Sequence, residues 1–145
     1  MAATTKAVSA IRNYLKNCSG FESILKNIKI ISAGNGTCLA EYKVEQNATN
    51  VLGSLHGGFT ATLVDATSTY ALYCDQDEIT PSVSLDMHMT YMKAANLGDE
   101  ILIDAKTMRA GKNLAYLRVE VKNKQTGDLL AQALHTRFLL SEKSY

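Results

Sequence analysis

From Asn50 to Cys74 the chain reads N-V-L-G-S-L-H-G-G-F-T-A-T-L-V-D-A-T-S-T-Y-A-L-Y-C, and after Gly57 its only charged side chain is Asp65. A carboxylate alone among uncharged neighbours is costly unless it is paired or put to use. Ahead of it stand His56, Gly57 and Gly58, where a helix should begin. Glycines there leave backbone N–H groups open to a ligand, at the positive end of the helix dipole. Asn50 lies upstream and Ser84 downstream. Together these residues supply the parts of a hydrolytic site. Helix N-terminal amides hold a developing oxyanion, and an amide side chain adds a second donor. A carboxylate acts as general base on water or attacks directly. A serine orients the carboxylate or the water. Each residue also has a plain reading: Asn50 in a loop, His56 before a helix, glycines in a turn, Asp65 as a buried acid bonded to a hydroxyl.

Other chemistries find less support. His56, His88 and His135 lie in a loop and two strand patterns without ligand spacing, so no metal site is expected. His88 and His135 read as ordinary strand-face residues. There is no G-x-S-x-G, no P-loop and no G-x-G-x-x-G. Cys74 falls on an apolar stripe, where small-residue packing is the default.

The element that must position Asp65 is a helix. Phe59, Leu63, Ala66, Tyr70 and Tyr73/Cys74 recur at i, i+4, i+7, i+11 and i+14/15. Asp65 lies about 120° from that stripe, in line with Ala61, Ser68 and Leu72. The helix therefore has two faces that avoid charge. Before it, residues 4–17 read as an amphipathic helix with Val8, Ile11, Tyr14 and Leu15 on one face, ended by Ser19-Gly20. Phe21 to Lys26 reads as one further turn. A strand from Ile28 turns at Gly34-Asn35-Gly36 into a second, Thr37 to Glu45, with Cys38, Ala40, Tyr42 and Val44 on one side. After the central helix comes an acidic turn, Asp75 to Glu78. From Pro81 onward the chain then alternates, with Val83, Leu85, Met87, Met89 and Tyr91 on one side and Ser82, Ser84, Asp86, His88 and Thr90 on the other. Three further strands follow: Glu100 to Arg109, Asn113 to Asn123 and Leu129 to Leu140. With such short turns, these four strands are expected to pair in sequence as an antiparallel meander. The sum is an α+β fold of one long helix on one antiparallel sheet of five to six strands, preceded by a helical arm at 1–26. One sheet covers one helix face; the Ala61–Asp65–Ser68–Leu72 face calls for a second copy of the chain.

The bulk composition narrows the class. A net charge of +1 offers no general attraction to nucleic acid or to a membrane surface. Three scattered cysteines without C-x-x-C point away from disulfides and zinc and toward a reducing compartment. No stretch reads as transmembrane. The start lacks a signal-peptide core, and its basic, acid-poor helix reads as a docking helix or a mitochondrial address.

The run N-x-x-G-x-L-H-G-G-x-x-A-T-L-x-D, with V-S-L-D-M-H-M-T-Y-M after it, resembles the hotdog-fold thioesterases of the phenylacetate-pathway type, and the likeness runs through nearly the whole chain. The resemblance implies a single hotdog domain over 1–145, with the sheet wrapped around the central helix. It implies dimers joined edge to edge into one sheet and paired into a homotetramer. It implies a fatty acyl-CoA substrate, hydrolysed to free acid and CoA with no cofactor. Gly57 would offer its N–H to the thioester carbonyl beside Asn50, and His56 would support that loop. Asp65, from the opposite subunit, would activate water or attack. Ser84, selected over Ser82 by V-S-L-D-M, would position the water. Substrate and CoA contacts would fall on Gly58, on Tyr91, Met92 and Lys93, on Arg109, Gly111 and Lys112, and on Arg137 and Phe138. Met92 to Asn96 departs from relatives, which often carry a proline and a lysine there. Cytoplasm or mitochondrion is the implied location. The rival readings are a non-catalytic acyl-CoA binding protein and a hotdog-fold hydratase or dehydratase.

Overall fold

A computed structural model describes residues 2–74, 76 and 79–140. The expected acidic turn places Asp75, Asp77 and Glu78 outside the described residues. Helix α1 (Ala2–Asn17) comes first. Its Val8, Ile11 and Leu15 are buried, and Arg12 donates to the carbonyl of Ile30 at 2.8 Å, which ties the arm to strand β1 (Lys29–Gly34). A 3₁₀ turn at Phe21–Leu25 fills the connection. β1 turns into β2 (Thr37–Lys43) through Asn35 at φ 51° and Gly36 at φ 70°, left-handed values that asparagine and glycine accommodate. Helix α2 (Gly57–Tyr73) follows, then β3 (Ser82–Tyr91), β4 (Glu100–Ala110), β5 (Leu114–Asn123) and β6 (Leu129–Leu139). Among the described residues no helix is long and apolar enough to cross a membrane.

All six strands form one antiparallel sheet in the order β1-β2-β4-β5-β6-β3. The expected meander is thereby corrected: β3 does not pair with β4. The link between them crosses beneath the head of α2, where Leu55 N–H donates to the Ala95 carbonyl at 2.8 Å and Ser54 bridges Asn96. That anchoring carries β4 over to β2 and leaves β3 beside β6, with one edge unpaired among the described residues.

The facing of β3 is corrected as well. Ser84 pairs with Arg137 but Asp86 with Thr136, so Leu85 is an extra residue in the ladder. Because side chains alternate with period two, one inserted residue swaps the faces beyond it. Met87, Met89 and Tyr91 share the inner face with their partners His135, Ala133 and Ala131; Ser82 and Ser84 share it with Leu139 and Arg137. The bulge thus points two serines and then two methionines toward the same helix.

The sheet curls around α2 as the hotdog resemblance implies. Leu63, Ala66 and Tyr70 of the apolar stripe are buried against it. The curl also corrects the expected second face. Ser68 and Leu72 are fully buried inside the chain, Ser68 against His135 and Leu72 with Ala115, Leu117 and Leu139. What stays uncovered is a narrower stripe of small residues around the acid: Gly58, Ala61, Thr62, Asp65 and Thr69.

Candidate active site

Asp65 sits midway along α2, its side chain 49% exposed. Arg137 donates Nη1–H to Asp65 Oδ1 at 3.0 Å, Ser84 Oγ lies 3.4 Å from the same oxygen, and His135 Nε2 is 3.7 Å away. Arg137 and His135 come from the inner face of β6, Ser84 from β3. The sequence of β6 explains their placement. Ala131, Ala133, His135, Arg137 and Leu139 alternate with outward residues, so the inner parity places two basic side chains in a row that is otherwise apolar. His135 is 1% exposed. Its Nδ1 lies 2.8 Å from Ser68 Oγ and its Nε2 2.8 Å from Ser84 Oγ. A polar chain therefore runs from buried Ser68 and His135 out to exposed Ser84 and half-exposed Asp65, with Arg137 alongside.

Burial lowers the pKa of His135; the Arg137 charge reinforces this, while Asp65 and Asp86 oppose it. The imidazole is accordingly held neutral. In the unfolded chain a histidine titrates near 6.5. Between that value and the lower folded one, the unfolded state binds the proton and the folded state does not, so stability rises with pH there. This contribution is complete above about 6.5 and is lost as the pH falls. The unfolding midpoint should therefore drop as the pH falls below about 6.5, and His135→Gln should flatten that drop. Parallel midpoint curves for variant and wild type would remove His135 as the cause.

The second group of predicted residues meets at the head of α2. His56 is the N-cap, and its Nδ1 accepts the Gly58 N–H at 2.9 Å. The expected role of His56 as support for this loop thus has a direct contact, while the Gly58 amide is occupied. Gly57 opens the helix, so its N–H has no partner one turn back. Tyr91 donates its hydroxyl to the Gly57 carbonyl at 2.9 Å. A groove of about 330 Å³ opens here, lined by Gly57, Thr60, Tyr91, Met92, Lys93 and Leu130 among others. Asn50 lies in the loop before the head. Its Oδ1 accepts from the N–H groups of Leu52 and Ser54 at 3.0 and 3.2 Å, and its Nδ2 reaches Ser54 Oγ at 3.0 Å. These bonds close its own loop.

Along one helix, Gly57 and Asp65 are about 12 Å apart, too far for one thioester carbon to touch both. The predicted CoA contacts also divide between two ends. Tyr91, Met92 and Lys93 are at the head, where Lys93 is ion-paired with Asp128. The turn that carries Arg109, Gly111 and Lys112 lies at the tail: Ala115 packs with Leu72, and Leu114 pairs with Phe138. Arg137 belongs to neither end but to the Asp65 cluster. His135, Ser68 and Ser82 complete that cluster and were not expected from the sequence. The signal for His135 and Arg137 was present as polar residues on the inner parity of β6. Among the described residues no cluster fit for a metal ion occurs. Burial raises the Cys74 thiol and, with the Cys74 and Asp104 charges, pushes Cys38 up to about 12, which suits neither to nucleophilic work.

The model of a family described as the thioesterase superfamily matches residues 52–130. The acyl-coenzyme A thioesterase 13 of Homo sapiens is 43% identical over 139 residues, which is 96% of this chain and 99% of that protein. The crystal structure of zebrafish thioesterase superfamily member 2 superposes with a TM-score of 0.87 at 40% identity, covering 92% of this chain and 98% of that one. A thioesterase protein of Streptococcus pneumoniae, solved with coenzyme A, has a TM-score of 0.75 at 26% identity over 80% of this chain and 88% of that one.

Proposed function

The chain belongs to the thioesterase superfamily and is a hotdog-fold hydrolase of acyl-CoA thioesters, and on that premise we propose that its site is shared between two copies. The observation that carries this reading is the spacing on α2: an open helix-head amide and a half-exposed carboxylate on one uncovered stripe, about 12 Å apart. A two-fold axis through the midpoint, near Ala61, brings Gly57 of one copy opposite Asp65 of the other. Ala61 and its neighbours Gly58 and Thr62 are small, which lets two helices approach closely. β3, with its unpaired edge, offers the backbone for a continuous sheet between the copies. The wider assembly is a homotetramer of two such pairs.

In this site the Gly57 N–H, at the positive helix end, polarises the thioester carbonyl and takes up the charge that develops on its oxygen. Asn50 is the second donor, its Nδ2 turning from Ser54 Oγ to the carbonyl oxygen, and His56 holds the loop through Gly58. Asp65 of the other copy takes a proton from water as the water attacks, or itself attacks the carbonyl carbon; Ser84 orients the water or the acid. Thiolate leaves as CoA, and the acid is released. The head groove suits the arm of the CoA ester, with Tyr91, Met92 and Lys93 along it. Arg109 and Lys112, exposed at the tail of the copy that supplies Asp65, meet the phosphates near Gly111 and Phe138, a role their exposure and charge support. A fatty acyl chain runs from the carbonyl along the small uncharged residues that flank Asp65 on this stripe. No cofactor is called for. The whole chain acts as one hotdog unit with 1–26 as an arm, and its scattered thiols support a reducing location in cytoplasm or mitochondrion.

Gly57→Pro isolates the amide. Proline is well accepted at the first helical position, and His56 already has the extended backbone (φ −63°, ψ 132°) that a residue before proline needs. The N–H is lost, and the added Cβ meets the Tyr91 ring at an ordinary contact distance of 3.6 Å. Turnover of an acyl-CoA in a free-thiol assay should fall about a hundred- to a thousandfold with helix content kept. Unchanged turnover would remove this amide from the reaction.

A further inference from the structure

We propose that Arg137 is a positioning residue that clamps Asp65 and Ser84 together, rather than a contact for CoA phosphates. The inference rests on the hydrolytic reading of the Asp65 site. Arg137 is 7% exposed, and all three of its guanidinium nitrogens are engaged. Nε donates to Ser82 Oγ at 2.8 Å and Nη2 to the Ser82 carbonyl at 2.8 Å. Nη1 donates to Asp65 Oδ1 and to Ser84 Oγ, each at 3.0 Å. A phosphate could reach this guanidinium only by displacing partners already in place, whereas Arg109 and Lys112 stand exposed. The planar fork is thus fixed from behind by Ser82, which the Leu85 bulge leaves on the inner face, and its front nitrogen holds two oxygens side by side.

The clamp fixes one of the hydrogen bonds around Ser84 and narrows the others. That hydroxyl has one proton and two lone pairs. It accepts from Arg137, so one lone pair and the proton remain for His135 and Asp65. When the proton goes to Asp65 Oδ1, His135 donates through Nε2–H and accepts at Nδ1 the Ser68 proton, which in the opposite tautomer goes to the Asp65 carbonyl 3.1 Å away. Oδ1 is then taken by Arg137 and Ser84. Oδ2 of the half-exposed carboxylate is left for the water or the carbonyl carbon. A lysine at 137 has a single point of charge and cannot grip Ser82 and Asp65 at once.

The test compares wild type, Arg137→Gln, Arg137→Lys and Ser82→Ala on two substrates with the same acyl group: the CoA ester and its N-acetylcysteamine ester, which carries no phosphate. Arg137→Gln should lower kcat about ten- to a hundredfold on both by a similar factor, with KM for the CoA ester little changed. Arg137→Lys should recover part of the loss. Ser82→Ala keeps the guanidinium but frees its rear anchor, and should lower kcat several-fold on both; it decides the matter if Arg137→Gln fails to fold. A loss confined to the CoA ester and expressed in KM would overturn the inference in favour of phosphate contact, and so would an unchanged kcat. Either result would leave the thioesterase reading standing. A wild type inactive on both esters would overturn that reading and the inference with it.

Discussion

Asp65→Asn should cost at least about a thousandfold in turnover of an acyl-CoA while the protein stays folded and assembled. The two side chains have nearly the same shape, and position 65 is half exposed, so no cavity opens. The Asn carbonyl oxygen can still accept from Arg137, as Asp65 Oδ1 does at 3.0 Å, so the local packing has a substitute bond. What the amide cannot do is take a proton from water or attack a thioester carbon. A structural acid would behave differently: its replacement would be tolerated, or the fold would fail. Thiol release measured with matched unfolding midpoints separates these cases, and near-normal release would end the assignment of Asp65.

The second large effect comes from mixing variants. Asp65→Asn lacks the acid and Gly57→Pro lacks the amide, so each is expected to be nearly inactive by itself. If every site takes its amide from one copy and its acid from the other, a mixed dimer holds one intact site and one doubly damaged site. Random mixing after dissociation and reassembly makes half the dimers mixed, and activity should return to about a quarter of wild type. A site contained in one chain would give no recovery. A companion variant, Ala61→Arg, places a large charge where the two helices would meet. A verified monomer of that variant should lose nearly all turnover although Gly57, Asp65 and Ser84 are untouched; full activity in it would refute the shared site.

The parts read from sequence differ in kind from the parts that were missed. Phe59, Leu63, Ala66 and Tyr70 repeat with a helical period, and the helix they define begins at Gly57 as expected. Gly34-Asn35-Gly36 marks a hairpin, and Cys38, Ala40, Tyr42 and Val44 are its buried side. These are local signals, set by a few neighbouring residues. Strand partnership is not local. Nothing between Met92 and Asp99 announces that this link is pinned to Ser54 and Leu55 and delivers β4 to β2. Nor does V-S-L-D-M announce that Leu85 is bulged, since uninterrupted alternation accounts for the same letters.

The sequence by itself determined that Asp65 lies off the apolar stripe of a helix with glycines at its head, because charge pattern and period are properties of one segment. Only the tertiary structure decided what surrounds the acid. The bulge at Leu85 turned Ser82 and Ser84 inward, and the pairing of β3 with β6 set them beside His135 and Arg137. The curl of the sheet buried Ser68 and Leu72 and left a narrow open stripe in place of a whole face. Each of these depends on which strand pairs with which and in what register, and that is settled by the burial of all six strands at once rather than by any one of them.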